Sequence, residues 1–204
     1  MYMGRKPLKP RELKRFVIGV TGKMLSGKNV LCDVLSSRGF KVIDADSVGH
    51  QSLEIRKEEI IKMIDGDIVD PKTQNIDRKK LANIVFSDPM KLKILNKLVH
   101  GTIKELIRLM IGKDGFYCIN AALLFEIGLD EFCDIIVYVE SSEKEILKRA
   151  SLRGFSEEEV KKRIKFQKTL EEVKDKVDII IYNNSSLEDF KKKIEEKIFS
   201  IVKM

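Results

Sequence analysis

The stretch GVTGKMLSGKNVLCDVL, residues 19–35, decides the fold, because it opens a βα unit around a near-match to the phosphate-binding loop pattern G-x-x-x-x-G-K-[ST]. The match reads Gly22, then Lys23, Met24, Leu25 and Ser26, then Gly27, Lys28 and Asn29, and it departs from the pattern only at the last position. Phe16, Val17, Ile18 and Val20 form an apolar run of strand length before it, and Val30, Leu31, Val34 and Leu35 give helical spacing after it. Such a turn directs loop N–H groups and the open donors of a helix N-terminus at one anion, and Gly22 and Gly27 allow backbone conformations closed to other residues. Lys28 then reaches the β- and γ-phosphates of a nucleotide. An ordinary βα turn can match by chance; the flanking strand and helix favour phosphate binding.

The chain has 204 residues, of which 43% are hydrophobic, enough for one sizeable core with small appended subdomains. No apolar run approaches the roughly 20 residues needed to span a bilayer, and the basic N-terminal stretch has no hydrophobic region behind it, so the chain reads as a soluble cytoplasmic protein. Cys32, Cys118 and Cys133 are scattered, with no C-x-x-C pair and too few histidines nearby for a zinc site, and read as buried free thiols. The net charge of +7 suits anionic ligands without demanding nucleic acid. Six of the basic residues, Arg5, Lys6, Lys9, Arg11, Lys14 and Arg15, lie in an extension over residues 1–15 that reads as a flexible tail, partly helical from Glu12, with a nucleic-acid-binding arm as the alternative.

Beyond the loop helix, Phe40, Val42 and Ile43 predict a second strand running into Asp44, Ala45 and Asp46. The helix crossover makes the strands parallel, and if the strand persists the two aspartates project to the same side of its C-terminal end, where open parallel sheets bind ligands. Between Ser47 and Lys113 strand signals almost vanish. Ile60 and Ile64 suggest a short helix, Asp65-Gly66-Asp67 and Asp70-Pro71 mark turns, and Asp77 caps a helix carrying Leu81, Ile84 and Val85. Asp88 before Pro89 starts a long helix with the stripe Leu92, Leu95, Val99, Ile103, Leu106 and Met110. This helical insertion is where recognition of a second substrate is expected. Strands follow at Phe116–Ile119, leading to Asn120, at Ile135–Val139 and at Asp178–Tyr182 before Asn183-Asn184. Ser142 with Glu145 and Ser156 with Glu159 predict capping boxes for two helices that carry Arg149, Arg153, Arg163 and Gln167. Arg149 and Arg153 stand one turn apart on one face; an exposed charged hairpin is the bland alternative. Leu187, Phe190, Ile194, Ile198 and Ile201 make the stripe of a closing helix.

Taken in order, GVTG with its loop, IDADSVGH from Ile43 to His50, IDRKKLANIVFSDP from Ile76 to Pro89, LNKLVH from Leu95 to His100, LLFEIGLDEFCD from Leu123 to Asp134, the R-x-x-x-R-G and R-x-x-x-Q spacings and NNSSLEDF from Asn183 to Phe190 resemble the dephospho-coenzyme A kinases. These use ATP to phosphorylate the ribose 3′-hydroxyl of dephospho-CoA, the last step of coenzyme A synthesis. The resemblance implies an α/β, three-layer P-loop NTPase fold of the nucleoside monophosphate kinase type, with a five-stranded parallel sheet flanked by helices. It implies a core over residues 16–50 and 114–204, a lid at about 148–168 and a helical acceptor domain over 51–113. ATP and dephospho-CoA are the expected substrates and Mg²⁺ the expected metal.

By the same resemblance, Gly22 to Asn29 would hold the ATP phosphates, with Arg149, Arg153 and Asn183 also at the nucleotide. Asp46 is the candidate base for the 3′-hydroxyl proton, with Asp44 as second choice, and Lys28, Arg149, Arg153 and Arg163 would surround the transferring phosphoryl group. Arg78, His100, Leu123, Leu124 and Glu126 would contribute to the acceptor site. Asn29 stands where the family has the Ser or Thr that ligates Mg²⁺, and Asn120 where it has an Asp, so the metal is expected on ATP and water, with Asn29 and Asp46 as candidate ligands. Lys23 and Leu25 replace loop glycines, Ala122 and Gly101 replace prolines, and Tyr182 replaces an acid. Another small-molecule kinase on the same fold and a weakened nucleotide- or CoA-binding regulator are the alternative readings.

Overall fold

The computed structural model describes residues 14–64 and 66–202. Most of the predicted basic extension, the helix start at Glu12 and the turn residue Asp65 lie outside the described residues. Arg15 already belongs to the first strand.

Five parallel strands, β1 (Arg15–Thr21), β2 (Lys41–Asp44), β3 (Gly115–Asn120), β4 (Ile135–Glu140) and β5 (Ile179–Tyr182), form one sheet in the order β2-β3-β1-β4-β5. The five-stranded parallel sheet predicted from sequence is therefore present. β1, at its centre, is buried from Phe16 through Thr21, the near-continuous apolar run that a strand covered on both faces requires. β2, at the edge, buries only Ile43. Between the strands run α1 (Lys28–Ser37), α6 (Leu124–Ile127), α7 (Glu143–Leu152), α8 (Glu157–Ile164) and α9 (Leu170–Val173), and α10 (Leu187–Phe199) closes the chain. Leu31 and Leu35 of α1 and Phe190, Ile194 and Ile198 of α10 meet Phe16, Ile18, Val137 and Ile181 of the sheet in one core. Parallel strands place the ends at Thr21, Asp44, Asn120, Glu140 and Tyr182 along one edge, and in the register Asp44 and Val20 pair with β3 at Asn120.

The described residues divide into two compact units, one formed by those up to Asp44 and from Met110 on, the other by Ala45–Leu109. The second holds α2 (Ala45–Ile55), α3 (Lys57–Met63), α4 (Arg78–Ser87) and α5 (Pro89–Met110). Its own core gathers Ile60, Ile64, Ile68, Ile76, Leu81, Val85 and Leu95. Asp77 caps α4 by accepting from the N–H groups of Lys79 and Lys80, and Asp88 does the same for α5 with Met90 and Lys91.

Several local expectations are corrected. β2 stops at Asp44 and α2 begins at Ala45, so Asp44 and Asp46 do not share a strand face. The helix wins because Ala45, Val48 and Ser52 recur at helical spacing and are buried. On α5, Thr102 and Ile107 are buried while Met110 is half exposed, a stripe slightly rotated from the predicted one. Ser142 caps α7 but makes no reciprocal box: its own N–H donates to Asn184 Oδ1 at 2.8 Å. The Ser156–Glu159 box is complete, and Thr169 with Glu172 forms another that the sequence reading did not mark.

Candidate active site

The loop between β1 and α1 owes its shape to two glycines. Gly22 has φ 137° and a β-carbon there would stand 2.2 Å from the carbonyl oxygen of Val139; Gly27 has φ 111° and is the N-cap of α1. Glycine at the cap contributes no side-chain hydrogen bond to the first turn of α1, and that turn carries no acid. The donors of a helix N-terminus and its positive end favour an anion. Lys28 Nζ reaches back across the loop to the carbonyl oxygens of Gly22 at 2.9 Å and Lys23 at 3.0 Å. Leu25 takes φ 63°, a left-handed conformation unusual for leucine, and its side chain packs against the α7–α8 cluster of Ile146, Ala150 and Val160.

The underside of the loop is bolted to β4 and β5. Asn183 Nδ2 donates to the Ser26 carbonyl at 2.7 Å, and Ser141 Oγ donates to the carbonyls of Ser26 at 3.1 Å and Asn183 at 2.8 Å. Arg149 lies here too: Nη1 donates to Leu25 O, Ser26 O and Ser141 Oγ, and Nη2 donates to Asn183 O at 2.7 Å. Arg149 thus braces the loop through its backbone. Arg153 is exposed and is the C-cap of α7, one turn beyond Arg149. Arg163 is exposed on α8, with Nη1 at 4.0 Å from Met24 Sδ and its guanidinium over the Phe155 ring.

Gln167, the last residue of the R-x-x-x-Q spacing, accepts the Met24 N–H at 2.8 Å through Oε1, joining the segment after α8 to the loop. Glu126 Oε1 accepts from Lys168 N at 2.7 Å, which makes it an anchor for the chain between α8 and α9. Leu124 is fully buried and Leu123 is the N-cap of α6. Ser141 had no signal in the sequence beyond its place after a strand. Burial pushes the Glu140 carboxyl up from its ordinary range, with Lys23 pulling it partly back.

At the end of β3, Asn120 is buried, and its Nδ2 donates to Asn29 Oδ1 at 3.1 Å and to Asp44 Oδ2 at 3.3 Å. Its Oδ1 is buried and has no hydrogen-bond partner among the described residues. The Asn29 oxygen expected to ligate Mg²⁺ thus accepts one hydrogen bond, which uses one of its two lone pairs, and among the described residues no three His, Cys, Asp or Glu side chains group as a metal site.

In the unit of Ala45–Leu109, Asp46 sits in the first turn of α2, directly after the end of β2. Arg78 Nη1 donates to His50 Nε2 at 2.5 Å, a pairing the sequence did not reveal. His100 lies on α5.

Comparison with known proteins accounts for this arrangement. The family model for dephospho-CoA kinase matches residues 16–189. A dephospho-CoA kinase of Fusobacterium nucleatum is 40% identical over 184 residues, covering 88% of this chain and 95% of that protein. One from Borreliella burgdorferi is 34% identical, covering 98% of this chain and 97% of the relative. Among solved structures, the dephospho-CoA kinase from Campylobacter jejuni is 29% identical with a TM-score of 0.67, covering 93% of this chain and 98% of its own. A shikimate kinase from Acinetobacter baumannii, at 16% identity, 94% and 96% coverage and a TM-score of 0.53, shares the fold alone. With the phosphate loop, the parallel sheet and nearly the full length in agreement, this chain belongs to the dephospho-CoA kinase family of enzymes.

Proposed function

We propose that the protein transfers the γ-phosphoryl group of ATP to the ribose 3′-hydroxyl of dephospho-CoA, giving CoA and ADP. The observation that carries this reading is the loop: a left-handed Gly27 leaves the α1 N-terminus uncapped beside the Lys28 ammonium, at the ligand-binding edge of a parallel sheet. ATP enters with Mg²⁺ on its own phosphates, and no residue here is assigned to the metal.

Phosphoryl transfer asks for in-line placement and for charge neutralisation on the equatorial oxygens, with little covalent help. The loop N–H groups hold the β-phosphate, and Lys28 exchanges its loop carbonyls for phosphate oxygens. Arg163 and Arg153, both exposed, supply positive charge to the transferring group, and the lid they belong to shields it from water. Arg149, engaged with four loop and strand acceptors, holds the cradle in shape. Asp46 takes the 3′-hydroxyl proton, with Asp44, which accepts from Asn120, as the second candidate. We assign acceptor recognition to the unit of Ala45–Leu109, with Arg78, His50 and His100 as its polar groups. Both substrates are small and water-soluble, which suits a cytoplasmic reaction, and among the described residues no helix is long and apolar enough to cross a membrane.

The test is ADP release on mixing the protein with ATP, Mg²⁺ and dephospho-CoA. Release should require dephospho-CoA, and Lys28→Ala and Asp46→Asn should each lower kcat about a hundredfold or more. No acceptor-dependent release with any divalent metal, or equal release with unrelated alcohols such as shikimate or gluconate, would overturn the assignment.

A further inference from the structure

The two N–H bonds of the Asn120 amide are both spoken for, one by Asp44 and one by Asn29. A carboxylate offers acceptors only, so Asn120 must present its NH₂ edge to Asp44, its partner in the β2–β3 register. The opposite orientation would set Asn120 Oδ1 against the carboxylate, acceptor facing acceptor. The observed one leaves that oxygen buried and unpartnered, so the polarity is maintained in spite of an unmet acceptor.

The second Asn120 N–H then demands an acceptor from Asn29, and Asn29 answers with Oδ1. In a planar amide the nitrogen lies on the other side of the carbon from the oxygen, so the Asn29 NH₂ is turned away from Asn120. Asn29 is exposed, in the first turn of α1, next to the uncapped N–H groups. A relay of polarity therefore runs from the Asp44 carboxylate through Asn120 to Asn29, and it ends on a donor at the mouth of the phosphate cradle.

We propose that Asn29 donates a hydrogen bond from Nδ2 to a phosphate oxygen of the bound nucleotide and does not ligate the divalent cation, with Asn120 and Asp44 as the positioning residues that fix this orientation. The inference rests on the loop being the nucleotide site. A donor stabilises phosphate charge without an intervening cation, so this loop holds nucleotide nearly as well without metal as with it. Specificity for the donor then lies in the amide, and the cation follows the nucleotide.

Calorimetric titration of the full chain with ADP, in EDTA and in Mg²⁺, tests this without turnover. Wild-type Kd should differ less than about threefold between the two conditions. Asn29→Asp, which replaces the NH₂ by a charged oxygen, should weaken metal-free binding about tenfold or more and let Mg²⁺ restore it. Asn120→Asp presents an acceptor to Asn29, so its amide turns round: ADP binding in EDTA weakens, and Mn²⁺ uptake by the ADP complex, read by electron paramagnetic resonance, tightens. Asn120→Leu, which keeps the volume without the amide, should lose metal-free affinity with no gain in Mn²⁺ uptake. Wild-type binding that needs Mg²⁺ by tenfold or more, or metal-free affinity indifferent to Asn29→Asp, would overturn the inference and leave the nucleotide site standing. Absence of ADP binding in both conditions would instead overturn the nucleotide site and the inference with it.

Discussion

The side-chain amide of Asn183 occupies the space a β-carbon on Gly27 would need, with Nδ2 2.3 Å from that position, while the same nitrogen donates to the Ser26 carbonyl at 2.7 Å. Gly27→Ala must therefore displace a buried hydrogen bond and also hold alanine at φ 111°. We expect ATP affinity to fall about tenfold or more, since left-handed backbone alone costs about 1–2 kcal/mol for a residue with a β-carbon. Adding Asn183→Ala removes the clash but not the backbone cost, so the double variant should not recover; full recovery in an ATP titration would show that sterics alone require the glycine.

Arg149 grips carbonyls on both sides of the junction between the loop and β5, which needs the two arms of a guanidinium. Arg149→Lys should behave like Arg149→Ala, each losing about 2 kcal/mol with the guanidinium's charge-assisted hydrogen bonds to the carbonyls of Leu25, Ser26 and Asn183, although Ser141 Oγ still donates to the last two. Urea midpoints should fall with the m-value unchanged, and Kd for ATP should rise. The Glu145 carboxylate at 3.7 Å is a minor part of this, being partly exposed. A Lys variant with parental stability would show that the single charge suffices.

Glu140 gives the stability a pH signature. Its carboxyl is held above the ordinary value of 4.5 chiefly by burial, so the folded chain retains this proton more strongly than the unfolded chain. Between the ordinary and the raised value folding takes up a proton, and stability contributed by this group declines as pH rises through that window. Glu140→Gln should consequently raise Tm at neutral pH, and the gain should vanish below about pH 4, where both forms are neutral. Thermal melts across that range check it; a gain of equal size at low pH would assign the effect to packing.

The sheet was legible because its strands are short apolar runs separated by helical stripes and turn residues, and a buried parallel strand leaves that mark wherever it occurs. The start of α2 was not. Ala45 and Asp46 follow an apolar strand with no glycine or proline between, so local pattern extends the strand, whereas tertiary burial of Val48 and Ser52 selects the helix. The loop glycines and Lys28 were found by motif, yet the role of Arg149 was not, because an arginine one turn from another arginine reads the same whether it faces phosphate or carbonyl. Asn120 could be marked as unusual, but its partners follow from the β2–β3 register and the placement of α1, which only the folded chain supplies.

Leu25 sends its side chain into the lid cluster while its backbone forms part of the phosphate loop. Helices α7 and α8 and the loop should therefore open as one unit: melting the helices withdraws the apolar support from Leu25, and disordering the loop uncovers Ile146 and Val160. Their amide protons should exchange with a common opening free energy, and a nucleotide that orders the cradle protects the lid helices even where it does not touch them.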